Sequence, residues 1–413
     1  MKIIIKNGTI IDVTADKLVK ADILLENGVI KEINSDISIN AENPPDRIID
    51  ANKMLISPGL IDMHVHLRDP GQTHKEDIKS GTNAAAAGGF TSIACMPNTR
   101  PPIDNLETLN YINNQIKRVK PKCNVLPVAA ITKEQLGEEL VDFIALAKNG
   151  AVAFSEDGRS VTNAALKASA LQACADINKP ILCHCEDENL TQNGNTRLAE
   201  ELMILRDIYI AKTLDAPIHI CHISTAGSVD IIKTAKNDGV KVTAETCPHY
   251  FSLTDDAIKT LGTNAKMNPP LRTESDRQAI IDGLKNDTID CIVTDHAPHT
   301  QDEKNVDYAK APNGIVGLET SLALSLTYLK DSMSIPNIIK KMTINPAKIL
   351  GISKNCGTIE VGKAADITIF DPNETWVVDV NNFHGKTTNS PFNGEKLQGR
   401  VKYTILGGEV VYE

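Results

Sequence analysis

The sequence predicts an α/β protein, a (β/α)8 TIM barrel with a small β-sandwich domain formed from both chain termini. Two observations support this prediction. Between residues 60 and 294, eight short apolar runs alternate with segments of helical periodicity, which indicates strand–helix repeats and a parallel sheet. At both ends of the chain, short alternating runs are separated by turn residues, which indicates antiparallel strands.

The composition is that of a globular protein that lacks membrane spans. Of 413 residues, 41% are hydrophobic and 23% are charged, which allows an ample core. The net charge of −10 argues against nucleic acid or an anionic membrane as a partner. No apolar run reaches the length of a transmembrane helix, and the nine cysteines are scattered, mostly in apolar runs. We therefore expect buried thiols and a cytoplasmic location.

The terminal segments are predicted to form one β-domain. Residues 1–55 contain short strands punctuated by Asn7-Gly8 and Asn27-Gly28, and residues 349–413 repeat this style. Neither segment alone makes a persuasive sheet. Residues 56–348 are predicted to form the barrel between the two segments.

The eight apolar runs are the predicted barrel strands. They are 60–66, 90–96, 124–130, 151–156, 180–185, 217–223, 240–246 and 289–294. The clearest helices between them are Ile78 to Ala87, Leu106 to Val119, Ala164 to Ala175 and Thr196 to Leu214. A doubly wound sheet is the competing architecture, but it would not ordinarily bring side chains from non-adjacent strands to one point.

Residues of the types that commonly bind metal ions lie at the ends of five of these strands. They are His64 and His66, Asp157, His184, His222 and Asp295. A single histidine near a strand end is more often an ordinary polar residue than a ligand. In a barrel, however, all C-terminal strand ends meet on one face. Four imidazoles and two carboxylates there indicate a two-metal site suited to Zn²⁺, with Mn²⁺, Co²⁺ or Fe²⁺ as alternatives.

Two adjacent residues are candidates for the ligand that bridges the two cations. Asp157 and the adjacent Glu156 both follow the fourth strand, but neighbouring side chains on an extended chain point apart, so only one can reach the metals. Lys148 precedes the strand and is too distant. His219 lies three residues before His222, so we expect it to face the opposite side as a packed or surface histidine.

Longer motifs resemble those of the class I dihydroorotase family of the amidohydrolase superfamily. The similar stretches are Gly59 to Gly71, Met96 to Thr99, His184 to Asp187, His222 to Ser228, Glu245 to His249, Asn268 to Arg272, Thr294 to His299, Gly314 to Thr320 and Gly357 to Asp366. A His-x-His motif alone would indicate only the superfamily. Arg68 behind it, together with Asn98, is what resembles dihydroorotases.

The resemblance implies reversible cyclisation of N-carbamoyl-L-aspartate to L-dihydroorotate in de novo pyrimidine biosynthesis. It implies that a metal-bound hydroxide is the nucleophile, with Asp295 as general acid and base. The implied ligands of one or two Zn²⁺ ions, with two favoured, are His64, His66, Asp157, His184, His222 and Asp295. The implied substrate-binding residues are Arg68, Asn98, Asn268 and His299. A homodimer and a complex with aspartate carbamoyltransferase are the expected assemblies.

Two other functions compete with this interpretation. The first is another cyclic amidohydrolase, a hydantoinase, dihydropyrimidinase or allantoinase, whose family pattern lacks an arginine at the place of Arg68. The second is a non-catalytic partner of aspartate carbamoyltransferase, but inactive homologues have lost ligands and all six are present here.

Three departures from the family pattern stand out. Asp157 replaces the carboxylated lysine of many relatives, as in one dihydroorotase subgroup, and Asn313 replaces a loop phenylalanine. The stretch from Asp187 to Arg206 is shorter than in relatives.

Overall fold

The computed structural model describes residues 1–39 and 42–413. Residues 40 and 41, inside the predicted N-terminal part of the β-domain, lie outside the described residues. The chain begins with seven short strands: β1 (Lys2–Lys6), β2 (Thr9–Asp12), β3 (Lys17–Lys20), β4 (Asp22–Glu26), β5 (Val29–Asn34), β6 (Arg47–Asp50) and β7 (Leu55–Pro58).

The next eight strands form the predicted parallel barrel. They are β8 (Leu60–Val65), β9 (Phe90–Cys95), β10 (Asn124–Ala130), β11 (Ala153–Ser155), β12 (Ile181–Cys183), β13 (Ile218–Ile220), β14 (Val242–Thr246) and β15 (Cys291–Ile292). Each strand pairs with the next along the chain. A parallel bridge between Val65 and His296 joins the two edges, and the His66 amide donates to the His296 carbonyl at 2.8 Å. The prediction of a barrel rather than an open doubly wound sheet is therefore confirmed.

Helices lie between and after the barrel strands, and the longer ones pack on the outer face of the barrel. They are α1 (Ile78–Ala87), α2 (Leu106–Val119), α3 (Phe143–Lys148), α4 (Ala164–Asp176), α5 (Glu188–Gln192), α6 (Thr196–Leu214), α7 (Ala226–Asn237), α8 (Pro248–Ser252), α9 (Ile258–Leu261), α10 (Glu274–Lys285), α11 (Gln301–Lys304), α12 (Ser321–Leu329), α13 (Ile335–Lys340) and α14 (Ile344–Ile349). Local caps explain several starts, as at Asn105, whose side chain accepts from the Thr108 amide at 2.9 Å. Three of the four helices delimited from the sequence have the predicted bounds, and α4 ends one residue later.

Alternate side chains of the barrel strands enter two different buried clusters. Ile93 and Phe154 belong to the cluster that packs against the helices. Ala94, Ala153 and Leu182 occupy the alternate positions and enter a second cluster, as expected for inward-facing barrel residues. Polar side chains sit above this apolar layer, at the carboxyl ends of the strands.

The two chain ends form the predicted β-sandwich. Three late strands, β16 (Ile367–Val377), β17 (Lys396–Leu406) and β18 (Glu409–Tyr412), join β7, β2 and β3 in one six-stranded sheet. A four-stranded sheet, β5-β4-β1-β6, lies against it. Isoleucines from both ends, among them Ile5, Ile23 and Ile405, share one buried cluster. The domain limits at residues 55/56 and 348/349 stay predictions.

None of the helices in the described part of the chain has both the length and the apolar character needed to cross a bilayer.

Candidate metal centre

Asp157 lies between two pairs of histidines at the carboxyl ends of the strands. Its Oδ1 is 3.2 Å from His64 Nε2, and its Oδ2 is 3.5 Å from His66 Nε2. On the other side, Oδ1 is 3.6 Å from His184 Nδ1 and 3.7 Å from His222 Nε2. One carboxylate thus faces two separate pairs of possible nitrogen ligands, and each trio can hold one cation.

Asp295 completes the group on the side of the first pair. Its Oδ1 lies 3.0 Å from His66 Nε2 and 3.6 Å from His64 Nε2. The backbone leaves the strand conformation at this point, because Asp295 has φ of +47° and His222 has φ of +32°. This left-handed backbone directs both side chains into the site, at a cost of order 1–3 kcal/mol each. The structure therefore brings together all six residues that the sequence predicts as ligands.

The choice between Glu156 and Asp157, which the sequence leaves open, is decided by hydrogen bonds from the neighbouring strand. Glu156 Oε2 accepts from the backbone amides of Ile131 and Thr132, both at 3.0 Å, and Oε1 accepts from the Thr132 hydroxyl. This carboxylate is therefore turned away from the histidines.

The donor set fits divalent cations. The His64 Nδ1–H donates to Glu245 Oε1 at 2.6 Å, and the buried Nε2 has no hydrogen-bond partner among the described residues. His184 is arranged in the opposite sense, with Nε2 2.9 Å from Glu186 Oε2 and Nδ1 facing Asp157. A carboxylate on the outer nitrogen fixes the tautomer that presents a lone pair inward, as in metal-binding histidines.

Electrostatics at the centre favour ionised carboxylates. Burial would raise the pKa of Asp157, but His64, His184 and His222 outweigh this effect and hold the pKa well below its usual range. Burial would likewise lower the pKa of His184, yet Asp157 and Glu186 raise it to about 10. A cation bound between these groups would take the place of such protons, so metal binding releases protons.

Glu245 and Glu186 are functional residues that the sequence analysis missed. Glu245 is fully buried on β14 and contacts His64 from across the barrel. The sequence did carry a signal for Glu245: it is a carboxylate inside an apolar strand, and a buried charge requires a partner. Glu186 lies two residues after His184 and also accepts from Asn268 Nδ2 at 2.8 Å.

The expected orientation of His219 is wrong. Its Nε2 lies 3.0 Å from Glu245 Oε2 and its Nδ1 lies 2.8 Å from Thr243 Oγ1, so it supports the metal centre from below. Of the two predicted positions, packed or surface, it takes the packed one. The alternation rule fails because His222 lies beyond the end of β13, in left-handed backbone. Both histidines can therefore approach the same side.

The predicted substrate residues line a cavity of about 220 Å³ beside the metal centre. Arg68, Asn98, Asn268 and His299 all contribute to its wall. Arg68 Nη2 lies 3.3 Å from His299 Nε2. Asn98 has a further contact role, because its amide donates to Asp157 Oδ2 at 3.1 Å and its oxygen accepts from His66 Nδ1 at 2.9 Å.

The loop over the cavity is held by main-chain contacts that do not need the family's phenylalanine. The Asn313 carbonyl lies 2.9 Å from His299 Nε2. Lys304 Nζ donates to the carbonyls of Pro312 and Gly314, each at 3.0 Å. The shortened stretch after Asp187 folds as α5 and the start of α6.

Comparison with known proteins agrees with this site. Residues 55–411 match the amidohydrolase family model. The chain is 49% identical to a dihydroorotase from Acetivibrio thermocellus, covering 99% of this chain and 98% of that one. It is 47% identical to a dihydroorotase from Geobacter metallireducens over the full length of both.

Solved structures show the same fold. The L-hydantoinase from Arthrobacter aurescens superposes with a TM-score of 0.89 at 26% identity, covering 100% of this chain and 96% of that one. A dihydropyrimidinase from Brevibacillus agri, at 23% identity, gives 0.86 over 100% and 95% of the two chains. The chain therefore belongs to the amidohydrolase family, a family of metal-dependent hydrolases. Within that family its relatives place it among the dihydroorotases.

We predict that Glu245→Gln weakens metal binding about 10- to 100-fold. The amide still approaches His64 and His219 but no longer supplies the negative charge that fixes their ring protons. Metal affinity, measured by competition with a coloured chelator, gives the size of the effect. Glu319→Gln is the matched control, because Glu319 also contacts a histidine, His384 at 2.8 Å, away from the site. Equal metal affinity in both variants would contradict the role assigned to Glu245.

Proposed function

We propose that the protein interconverts N-carbamoyl-L-aspartate and L-dihydroorotate in de novo pyrimidine biosynthesis. The observation that carries this proposal is that the positive charge of Arg68 has no carboxylate partner among the described residues. Its guanidinium lines the cavity but forms no ion pair with a carboxylate of the described residues. Burial lowers the pKa of Arg68 to about 10, so it is still charged at neutral pH. Arg68 is half-buried and its Nε donates only to the Pro298 carbonyl at 3.3 Å. A half-buried cation that lacks a carboxylate partner favours an anionic ligand.

The substrate carboxylate is the group that fits this arrangement. A guanidinium offers two parallel N–H donors that match a carboxylate, and His299 lies beside it. Most hydantoinase and dihydropyrimidinase substrates offer no such group. The Arg68 environment thus supports dihydroorotase activity over these related activities, although the hydantoinase shares the fold.

The proposed cofactor is Zn²⁺, with two ions sharing Asp157. The support is the position of Asp157 between two histidine pairs, together with nitrogen and oxygen donors that suit zinc. When bound, such cations activate water and polarise the amide carbonyl. Metal analysis of the purified protein tests both the identity and the number.

Asp295 is the proposed proton carrier. Burial would raise its pKa, but His66, His64 and His222 lower it, so the carboxylate is ionised at neutral pH and can accept a proton. During hydrolysis Asp295 takes a proton from the attacking water and returns it to the ring nitrogen that leaves. During cyclisation the same carboxylate removes that proton from the carbamoyl nitrogen.

We propose that the protein works in the cytoplasm. All nine cysteines are free thiols and eight are buried, in keeping with a reducing cytoplasm.

The non-catalytic scaffold alternative is disfavoured because all six ligand residues are present and lie together. A complex with aspartate carbamoyltransferase stays a prediction, which co-purification can test.

We also propose a homodimer that forms through α6. This helix exposes Leu198, Leu202, Leu205 and Tyr209, at 45%, 46%, 52% and 72% of their surface. The spacing of four, three and four residues is symmetric about its middle. A two-fold axis would therefore place Leu202 against Leu205 of a second copy, and Leu198 against Tyr209, which makes the stripe self-complementary.

Leu202→Glu combined with Leu205→Glu should convert the dimer to a monomer, because four carboxylates would then meet at the axis. Light scattering after gel filtration measures the mass. Ile144→Glu on α3, at a residue 54% exposed, is the control and should remain dimeric. A monomeric parent protein, or a dimer that survives the double substitution, would contradict this interface.

Arg68→Met should lower kcat/KM for dihydroorotate at least tenfold to a hundredfold, because charged hydrogen bonds each contribute about 1.5–3 kcal/mol. Metal content should not change. Dihydrouracil has no carboxylate, so its turnover should fall much less. Equal losses on both substrates would show that Arg68 only braces its turn, and would favour a hydantoinase-type activity.

Asp295→Asn should reduce turnover by roughly 10² to 10⁴ while the fold is retained, because an amide cannot carry a proton at neutral pH. Single-turnover rates at saturating substrate measure the loss, and circular dichroism with thermal melting checks the fold. Turnover close to that of the parent would show that another group moves the proton, with His299 the next candidate.

A further inference from the structure

His299 is held at the rim of the cavity by a lysine that the proposed mechanism does not use. Lys75 Nζ lies 3.2 Å from His299 Nδ1, and the lysine is only 7% exposed. On the other side of the ring, Nε2 lies 2.9 Å from the Asn313 carbonyl oxygen. Lys75 belongs to the segment between β8 and α1, whereas His299 follows β15, so the contact joins distant parts of the chain.

These two contacts define where the imidazole carries its proton. An ammonium group only donates hydrogen bonds, so Nδ1 must be the acceptor. Nε2 lies 2.9 Å from a carbonyl oxygen, which only accepts, and 3.3 Å from Arg68 Nη2, which only donates. The shorter contact at Nε2 and the Lys75 donor at Nδ1 both favour the hydrogen on Nε2. We propose that Lys75 is a positioning residue for substrate recognition, which holds His299 as the Nε2–H tautomer so that this N–H faces the substrate carboxylate beside Arg68. This inference rests on the proposed function, because it assumes a carboxylate-bearing substrate.

The arrangement of donors supports the assignment. Arg68 Nη2 and His299 Nε2 are 3.3 Å apart, and both residues line the cavity. With the proton on Nε2, both atoms are donors and neither can satisfy the other. The Nε2–H donates to the Asn313 carbonyl, and a substrate carboxylate oxygen would share that hydrogen while also accepting from the Arg68 N–H.

The surrounding charges explain why the tautomer matters. Burial and the positive charges of Arg68, Lys75 and Lys304 lower the pKa of His299 to about 3, against the opposing charge of Glu303. The ring is therefore neutral at physiological pH and has a single proton. If that proton were on Nδ1, Nε2 would present a lone pair to the substrate carboxylate and repel it.

A simpler role for Lys75 is structural. Its Nζ also lies 3.0 Å from Glu303 Oε1, so it ties the segment after β8 to α11. Glu303 in turn caps α11, where its Oε2 accepts from the Thr300 amide at 3.0 Å. The two roles differ in what removal of Glu303 does, because Glu303→Gln breaks the ion pair but leaves the Lys75 donor in place.

The first test is the tautomer itself, in the metal-loaded parent protein. Nitrogen-15 NMR of histidine-labelled protein distinguishes a protonated ring nitrogen from an unprotonated one, and a His299→Gln spectrum assigns the signals. We expect a protonated Nε2 and an unprotonated Nδ1. A proton on Nδ1 would overturn the proposal, whether or not the protein turns over dihydroorotate.

The second test is kinetic. Lys75→Met should raise KM for dihydroorotate about tenfold, the factor expected for one charged hydrogen bond, and leave kcat within about threefold. Lys75→Arg, which keeps a cationic donor, should restore most of the loss. Glu303→Gln should keep KM within about threefold of the parent value.

Three outcomes would overturn the proposal: an unchanged KM in Lys75→Met, a KM defect of equal size in Glu303→Gln, or a loss confined to kcat. If Lys75→Met does not fold, Lys75→Gln serves in its place, because its amide, one atom shorter, stays polar and can donate or accept, so it does not force the direction of the hydrogen bond. A parent protein inactive on dihydroorotate would instead refute the proposed function, and the NMR result would stand apart from it.

Discussion

The close approach of buried imidazoles and carboxylates is the interaction on which this structure depends. Asp157, Asp295 and four histidines lie within a few ångströms of one another, each at most 8% exposed. Removing a charge from water costs several kcal/mol unless a partner of opposite sign is close. The first requirement of the fold is therefore to deliver acids and bases to the same point. A barrel meets this requirement because all its strands end on one face.

A second layer of hydrogen bonds fixes the position and orientation of these groups. Glu245 joins His64 to His219, and Glu186 joins His184 to Asn268. Asp62 accepts from the amides of both His64 and Thr294, at 3.0 and 3.1 Å, and so ties the first strand to the segment that carries Asp295. These contacts can maintain left-handed backbone at His222 and Asp295, which the chain would otherwise avoid.

The electrostatic character changes sharply from the metal centre to the cavity rim. The centre is rich in carboxylates, whereas Arg68, Lys75 and Lys304 surround His299 a short distance away. Burial and Lys266 lower the pKa of Lys304 to about 8, so this site only weakly favours the charged form of the lysine at neutral pH. The separation suits a substrate with an amide at one end and a carboxylate at the other, because each end meets a complementary environment.

Local patterns in the sequence determined the strands, the main helices and the candidate ligands, because apolar periodicity and capping residues act over a few positions. Ile78–Ala87 and Leu106–Val119 were predictable for that reason. Tertiary structure alone decided the contacts between distant segments. Thr132 and Ile131 turn Glu156 away and leave Asp157 at the centre, and Glu245 reaches His64 across 181 positions of sequence. His222 reaches the same side as His219 only because the backbone turns at His222, beyond the end of its strand. Such choices depend on how the barrel closes, and no short-range pattern records that geometry.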